Sequence, residues 1–195
     1  MQKGQYMTTQ KYANDLRNSI DFNRYVKLVA SMGGALDKPK DRFDKSDIIE
    51  QSIEVYSNGR LKWVDLEGRD HYDTKLKIDT EFKFDRKCLY TEKRLQAKKI
   101  VKIKVKNSLG KNKGTTIADP ADYYIFAQEN AMAVISYEEL KPYLVSVPDG
   151  IEAHVPFEKL SMIFTPADVK EIVKVDFDYK AVKAAAQRKL IESIS

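Results

Sequence analysis

The spacing of apolar residues changes period once along this chain, and that change limits the open folds more than anything else. From about Thr8 to Met32 apolar side chains recur at helical spacing (Tyr12, Leu16, Ile20, Phe22, Tyr25, Leu28, Val29), and the pattern stops at Gly33-Gly34. A polar connector, "DKPKDRFDK" (37–45), follows. A second helix is expected from Ser46 as N-cap, with Asp47 favouring the helix dipole, to Gly59. Beyond Gly59 the period is two. "RLKWVDLE" reads as a strand, "GRD" as a turn and "TKLKIDTEFKF" as one further strand. "KKIVKIKVKN" alternates Val101, Ile103 and Val105 with Lys102, Lys104 and Lys106. After the polar loop "SLGKNKGTTIADPA", the runs "DYYIFA" and "AMAVISY" read as apolar strands, and Ser136 caps a short helix, "YEELKPYL". Thr165-Pro166-Ala167-Asp168 starts another helix, and "YKAVKAAAQRKLIES" is a final one. Helices, then strands with a short helix among them, then helices: the order predicts an α/β (α+β) single domain over residues 1–195.

Composition excludes several classes of protein. With 43% hydrophobic and 32% charged residues the chain can bury a core and is not of disordered type. No apolar run approaches the roughly 20 residues that span a bilayer, and "MQKGQYMTTQKY" lacks the apolar core of a secretory signal, so a cytoplasmic protein away from membranes is expected. A single cysteine, Cys88, rules out an internal disulfide and multi-cysteine zinc patterns. His71 and His154 are too far apart in sequence for a helical zinc motif. The net charge of +5 is unevenly spread: from Arg86 to Lys113 there are eleven basic residues and one acidic one, Glu92. That excess suits a phosphate backbone, and equally a solvated basic face.

Chemistry is concentrated in "DHYDTKLKIDTEFKFDRK" (70–87). On a strand Glu81 and Lys83 share a face, so a carboxylate and an ammonium meet at one centre. A second carboxylate beside them would complete a Mg²⁺ site of hard oxygen ligands, with the lysine orienting water or offsetting developing charge. Asp73 is the first candidate, yet on a straight strand it would sit about 27 Å from Glu81. A turn after Asp73 is therefore required, and no glycine or proline between 74 and 80 announces one. Asp70 and Asp65 are the fallback ligands. Glu50 and Glu54, on the preceding helix, offer an additional carboxylate. The competing reading is an amphipathic strand with a charged solvent face.

The pattern Asp73, then Glu81-Phe82-Lys83, followed by "KVKNSLG…ADPADYYIFAQENAMAVISYEEL", resembles the PD-(D/E)xK nuclease superfamily and, within it, type II restriction endonucleases. The resemblance spans roughly residues 46–140, between an N-terminal helical segment (1–45) and a C-terminal strand and helices (141–195). It implies a restriction-endonuclease-like core, a central mixed β-sheet flanked by helices. It also implies a Mg²⁺-dependent DNA endonuclease acting on double-stranded DNA as a homodimer. Asp73 and Glu81 would hold the metal, Lys83 would position the attacking water, and Glu50 would assist. Arg94, Lys98, Lys102, Lys104, Lys106, Asn107, Ser108, Lys111, Asn112 and Lys113 would contact DNA. The alternative is a non-catalytic nucleic-acid-binding protein using the same basic strand and loop.

Overall fold

The computed structural model describes residues 7–32, 39–66, 69–84, 101–105, 120–147 and 150–169. Two helices, α1 (Thr9–Ser19) and α2 (Phe22–Met32), stand where the apolar period alone suggests one. The break lies at Ile20-Asp21. Ile20 is extended, and the Asp21 N–H donates to the Tyr56 carbonyl at 2.8 Å. The Asp21 carboxylate then accepts from the Arg24 N–H at 3.1 Å, capping α2. Periodicity is blind to this break, because both helices bury the same stripe: Tyr12 and Leu16, then Tyr25, Leu28 and Val29. The third helix, α3 (Pro39–Tyr56), starts about two turns earlier than Ser46, with proline at its first position.

The strands follow as β1 (Leu61–Leu66), β2 (Arg69–Asp73), β3 (Ile78–Phe84), β4 (Val101–Val105), β5 (Tyr123–Gln128) and β6 (Ala131–Ser136). A four-residue helix, α4 (Tyr137–Leu140), is capped by Ser136 through the Glu139 N–H, as expected. Then come β7 (Leu144–Val147), β8 (Gly150–Val155) and β9 (Ser161–Phe164). Thr165 opens a single tight turn, Pro166–Asp168. The expected final helix lies outside the described residues. So do Cys88 and the loop after β4.

Six strands form a mixed sheet in the order β1-β2-β3-β5-β6-β9. Among the described strands only β3 and β5 run parallel, Glu81 lying opposite Tyr124 and Lys83 opposite Phe126. The basic strand β4 is not part of this sheet. It pairs with β8 in a separate antiparallel sheet ordered β4-β8-β7. The fold is thus an α+β single domain built on a mixed sheet with four helices, as the order of elements predicts.

Alternation along the strands divides the core between the two faces of the sheet. Leu61, Phe82, Tyr123, Ile125, Met132, Val134 and Ile163 pack with α1, α2 and α3. Tyr124, Phe126, Ala133 and Ile135 turn the other way, toward Tyr137, Leu140, Val155 and Leu160. Up to their last residues, Gln128 and Ser136, the strands β5 and β6 are therefore buried and largely apolar, as central strands covered on both faces must be.

Candidate active site

The expected strand 74–84 begins with a turn. Residues 74–77 reverse the chain, and β2 pairs antiparallel with β3: His71 opposite Thr80, Tyr72 opposite Asp79, Asp73 opposite Ile78. Continuing that register by one step sets Asp70 against Glu81. Directly opposed residues of an antiparallel pair point to the same face. The second carboxylate thus comes from Asp70, and the turn that brings it lies just after Asp73.

No glycine marks the turn because other groups hold it. Lys77 takes φ +57°, in the left-handed region, and its N–H donates to the Asp73 carbonyl at 2.8 Å. The Asp73 carboxylate accepts the N–H groups of Lys75 and Leu76 at 3.0 and 3.1 Å. An aspartate that captures the amides two and three residues ahead is a turn-former.

Asp73, expected to hold the metal, is not brought beside Glu81 and Lys83; it lies opposite Ile78. It is fully buried, and its oxygens are committed. Besides the two turn amides, Tyr12 donates its hydroxyl at 2.9 Å and Arg60 its Nη2 at 3.0 Å. Arg60 in turn bonds Asp15 and the Ser19 hydroxyl, each at 2.7 Å. This network ties α1 to the hairpin. Burial and the Asp73 charge both push the Tyr12 phenol well above its usual pKa, so it stays a donor.

The cluster that does form contains Asp70, Glu81, Lys83 and Glu50. Phe82 faces the helix-side core, so its neighbours Glu81 and Lys83 turn away from it. Lys83 Nζ pairs with Glu81 Oε1. Asp70 Oδ2 accepts the Phe82 N–H at 2.8 Å, which fixes its carboxyl beside Glu81. Burial and then the Glu81 charge push Asp70 up to about 7, against Lys83 and the Phe82 N–H. Burial, followed by Asp70 and Asp47, pushes Glu50 up to about 9. Burial would lower Lys83, but Glu81, Asp70 and Glu50 outweigh it and hold the ammonium charged.

Three ties, about one helical turn apart, lay α3 along the sheet. Ser57 Oγ accepts the Leu61 N–H at 3.0 Å, and Glu54 Oε2 accepts the Trp63 N–H at 3.1 Å. His71 Nε2 meets the Glu50 carbonyl at 2.7 Å. Glu54 is thereby buried as an anchor of β1 and is not part of the cluster. Glu50 is the carboxylate that α3 contributes. Asp65 sits exposed at the irregularity in β1, with φ +48°.

The donor set suits a hard divalent cation. Glu81 Oε2 is buried and accepts no hydrogen bond, and three carboxyls share one ammonium. Among the described residues no group of three or more His, Cys, Asp or Glu side chains is placed to hold a metal ion. Asp70 and Glu81 are the two carboxylates that could hold a hard cation, which would need further oxygens from water.

Of the expected DNA contacts, Lys102 and Lys104 lie on β4, opposite His154 and Glu152 of β8. Arg94, Lys98, Lys106, Asn107, Ser108, Lys111, Asn112 and Lys113 lie outside the described residues. Among the described residues no helix is long and apolar enough to cross a membrane. No protein-family profile matches the chain, and no curated protein matches it significantly.

Proposed function

We propose that this chain is a Mg²⁺-dependent endonuclease of PD-(D/E)xK type acting on double-stranded DNA. Asp70, Glu81 and Lys83 would be its motif, with Glu50 assisting. The observation that carries the reading is the hairpin register, which sets Asp70 against Glu81 with Lys83 two residues on. A buried excess of carboxyls is costly unless it serves a charged ligand. A divalent cation in this position supplies a Lewis acid for a phosphodiester and acidifies a coordinated water.

The residues around it have separable tasks. Asp70 and Glu81 would hold the cation. Lys83, kept charged by its neighbours, donates to a phosphate oxygen or to the attacking water. Glu50, its carboxyl pushed up to about 9 by burial and Asp70, would exchange a proton with water at the cluster. Basic residues of β4 and of the segment around it would follow the phosphates, and a homodimer would cut both strands of a two-fold site.

The test is cleavage of supercoiled plasmid with and without Mg²⁺. Asp70→Asn, Glu81→Ala and Lys83→Ala should each reduce cutting by at least about a hundredfold while DNA binding in Ca²⁺ persists. Wild-type cutting by any of the three would overturn the assignment. Salt-sensitive binding with no Mg²⁺-dependent cutting would instead favour a non-catalytic nucleic-acid-binding protein.

A further inference from the structure

We propose that His71 is a positioning residue for this site, acting through Glu50; the inference rests on the metal-dependent reading above. His71 is fully buried on β2, immediately beside Asp70. A carbonyl can only accept, so the 2.7 Å contact with Glu50 makes Nε2 the protonated nitrogen of the ring. The ring is also held edge-on against Phe82, centroids 5.8 Å apart. Phe82 in turn donates its N–H to Asp70 and stands between Glu81 and Lys83.

One imidazole therefore connects the three segments that supply the cluster: β2 with Asp70, β3 with Glu81 and Lys83, and α3 with Glu50. The other two ties of α3, from Ser57 and Glu54, both reach β1. His71 is bonded to the backbone of Glu50 itself. Losing its N–H frees α3 to shift along the sheet near Glu50, while Ser57 and Glu54 keep the helix docked. The consequence is local: Glu50 loses its fixed position, and the fold persists.

The experiment uses the full chain. Calorimetric Mg²⁺ binding and plasmid cleavage are measured for wild type, His71→Leu, His71→Gln, Glu50→Gln and the double variant His71→Leu/Glu50→Gln, with thermal melts to verify folding. His71→Leu should weaken Mg²⁺ binding and lower kcat by about tenfold each, with KM for DNA little changed. His71→Gln, whose amide reaches nearly as far as Nε2, should recover most of both. In the Glu50→Gln background the leucine substitution should cost nothing further. Should His71→Leu not fold, His71→Asn replaces it, because its amide is too short to reach the Glu50 carbonyl. Equal losses in the two backgrounds would overturn the positioning role and leave the nuclease reading intact. Mg²⁺ binding that responds to His71 as stated, in a protein that cuts no DNA, would sink the nuclease reading alone. A wild-type chain that neither binds Mg²⁺ nor cuts overturns both.

Discussion

At the scale of single residues, two aspartates three positions apart have opposite employment. Asp73 is surrounded by donors: two amides, a phenol and a guanidinium. Asp70 has one amide and faces other carboxyls. The first arrangement stabilises a fold; the second costs stability. Substitution should separate them. Asp73→Ala removes one partner of a buried ion pair and should cost about 3–5 kcal/mol, read as a lower urea midpoint. Asp70→Asn removes a like charge from beside Glu81. It should leave the midpoint unchanged or higher at pH 8 while abolishing Mg²⁺ binding. Lys83→Met should lower stability at that pH, since it leaves the carboxyls without their cation.

At the scale of elements, the hairpin 69–84 assembles the site, and its turn has an unusual composition. Lys77 adopts a backbone conformation that costs a non-glycine residue about 1 kcal/mol. Lys77→Gly should therefore raise the melting temperature by about 2–4 °C with activity unchanged. Lys77→Pro cannot reach a positive φ and loses the N–H donated to Asp73. It should dissolve the register and eliminate Mg²⁺ binding by calorimetry. The helix α3 works with the hairpin from outside the sheet. Ser57 and Glu54 cover outward N–H groups of the edge strand β1, which also protects that edge from pairing with another chain.

At the scale of the whole molecule, the cluster gives stability a sign with pH. Glu50 and Asp70, raised to about 9 and about 7, bind protons more tightly folded than unfolded. Their contribution is complete below the usual carboxylate range and is lost as pH rises through 7 and 9. Asp15 and Asp168, held down by ion pairs with Arg60, Lys75 and Arg17, act oppositely and lose theirs on acidification. Melting temperature should therefore peak in mildly acidic buffer and fall toward pH 9 without divalent cation. Added Mg²⁺ should restore it at the alkaline end, and Glu50→Gln should flatten that limb. A calorimetric pH series checks all three.

How far the sequence reaches follows from the range of the forces involved. Alternation along a strand is local, so the shared face of Glu81 and Lys83, the covered strands β5 and β6, the Ser136 cap and the order of elements were legible in it. The need for a turn after Asp73, if a second carboxylate is to reach Glu81, was legible too. Which aspartate it is was not. The turn at 74–77 carries no glycine because Asp73 captures its amides and Arg60 and Tyr12, from elsewhere in the chain, hold Asp73 in place. The division of labour between Glu50 and Glu54, alike in sequence and one turn apart, depends on which strand each meets. The same is true of the break at Asp21, made by the distant Tyr56 carbonyl. Residue types and their local period belong to the sequence by itself. Partners distant along the chain decide which carboxylates are used up in the fold and which remain for a ligand, and only the tertiary structure brings those partners together.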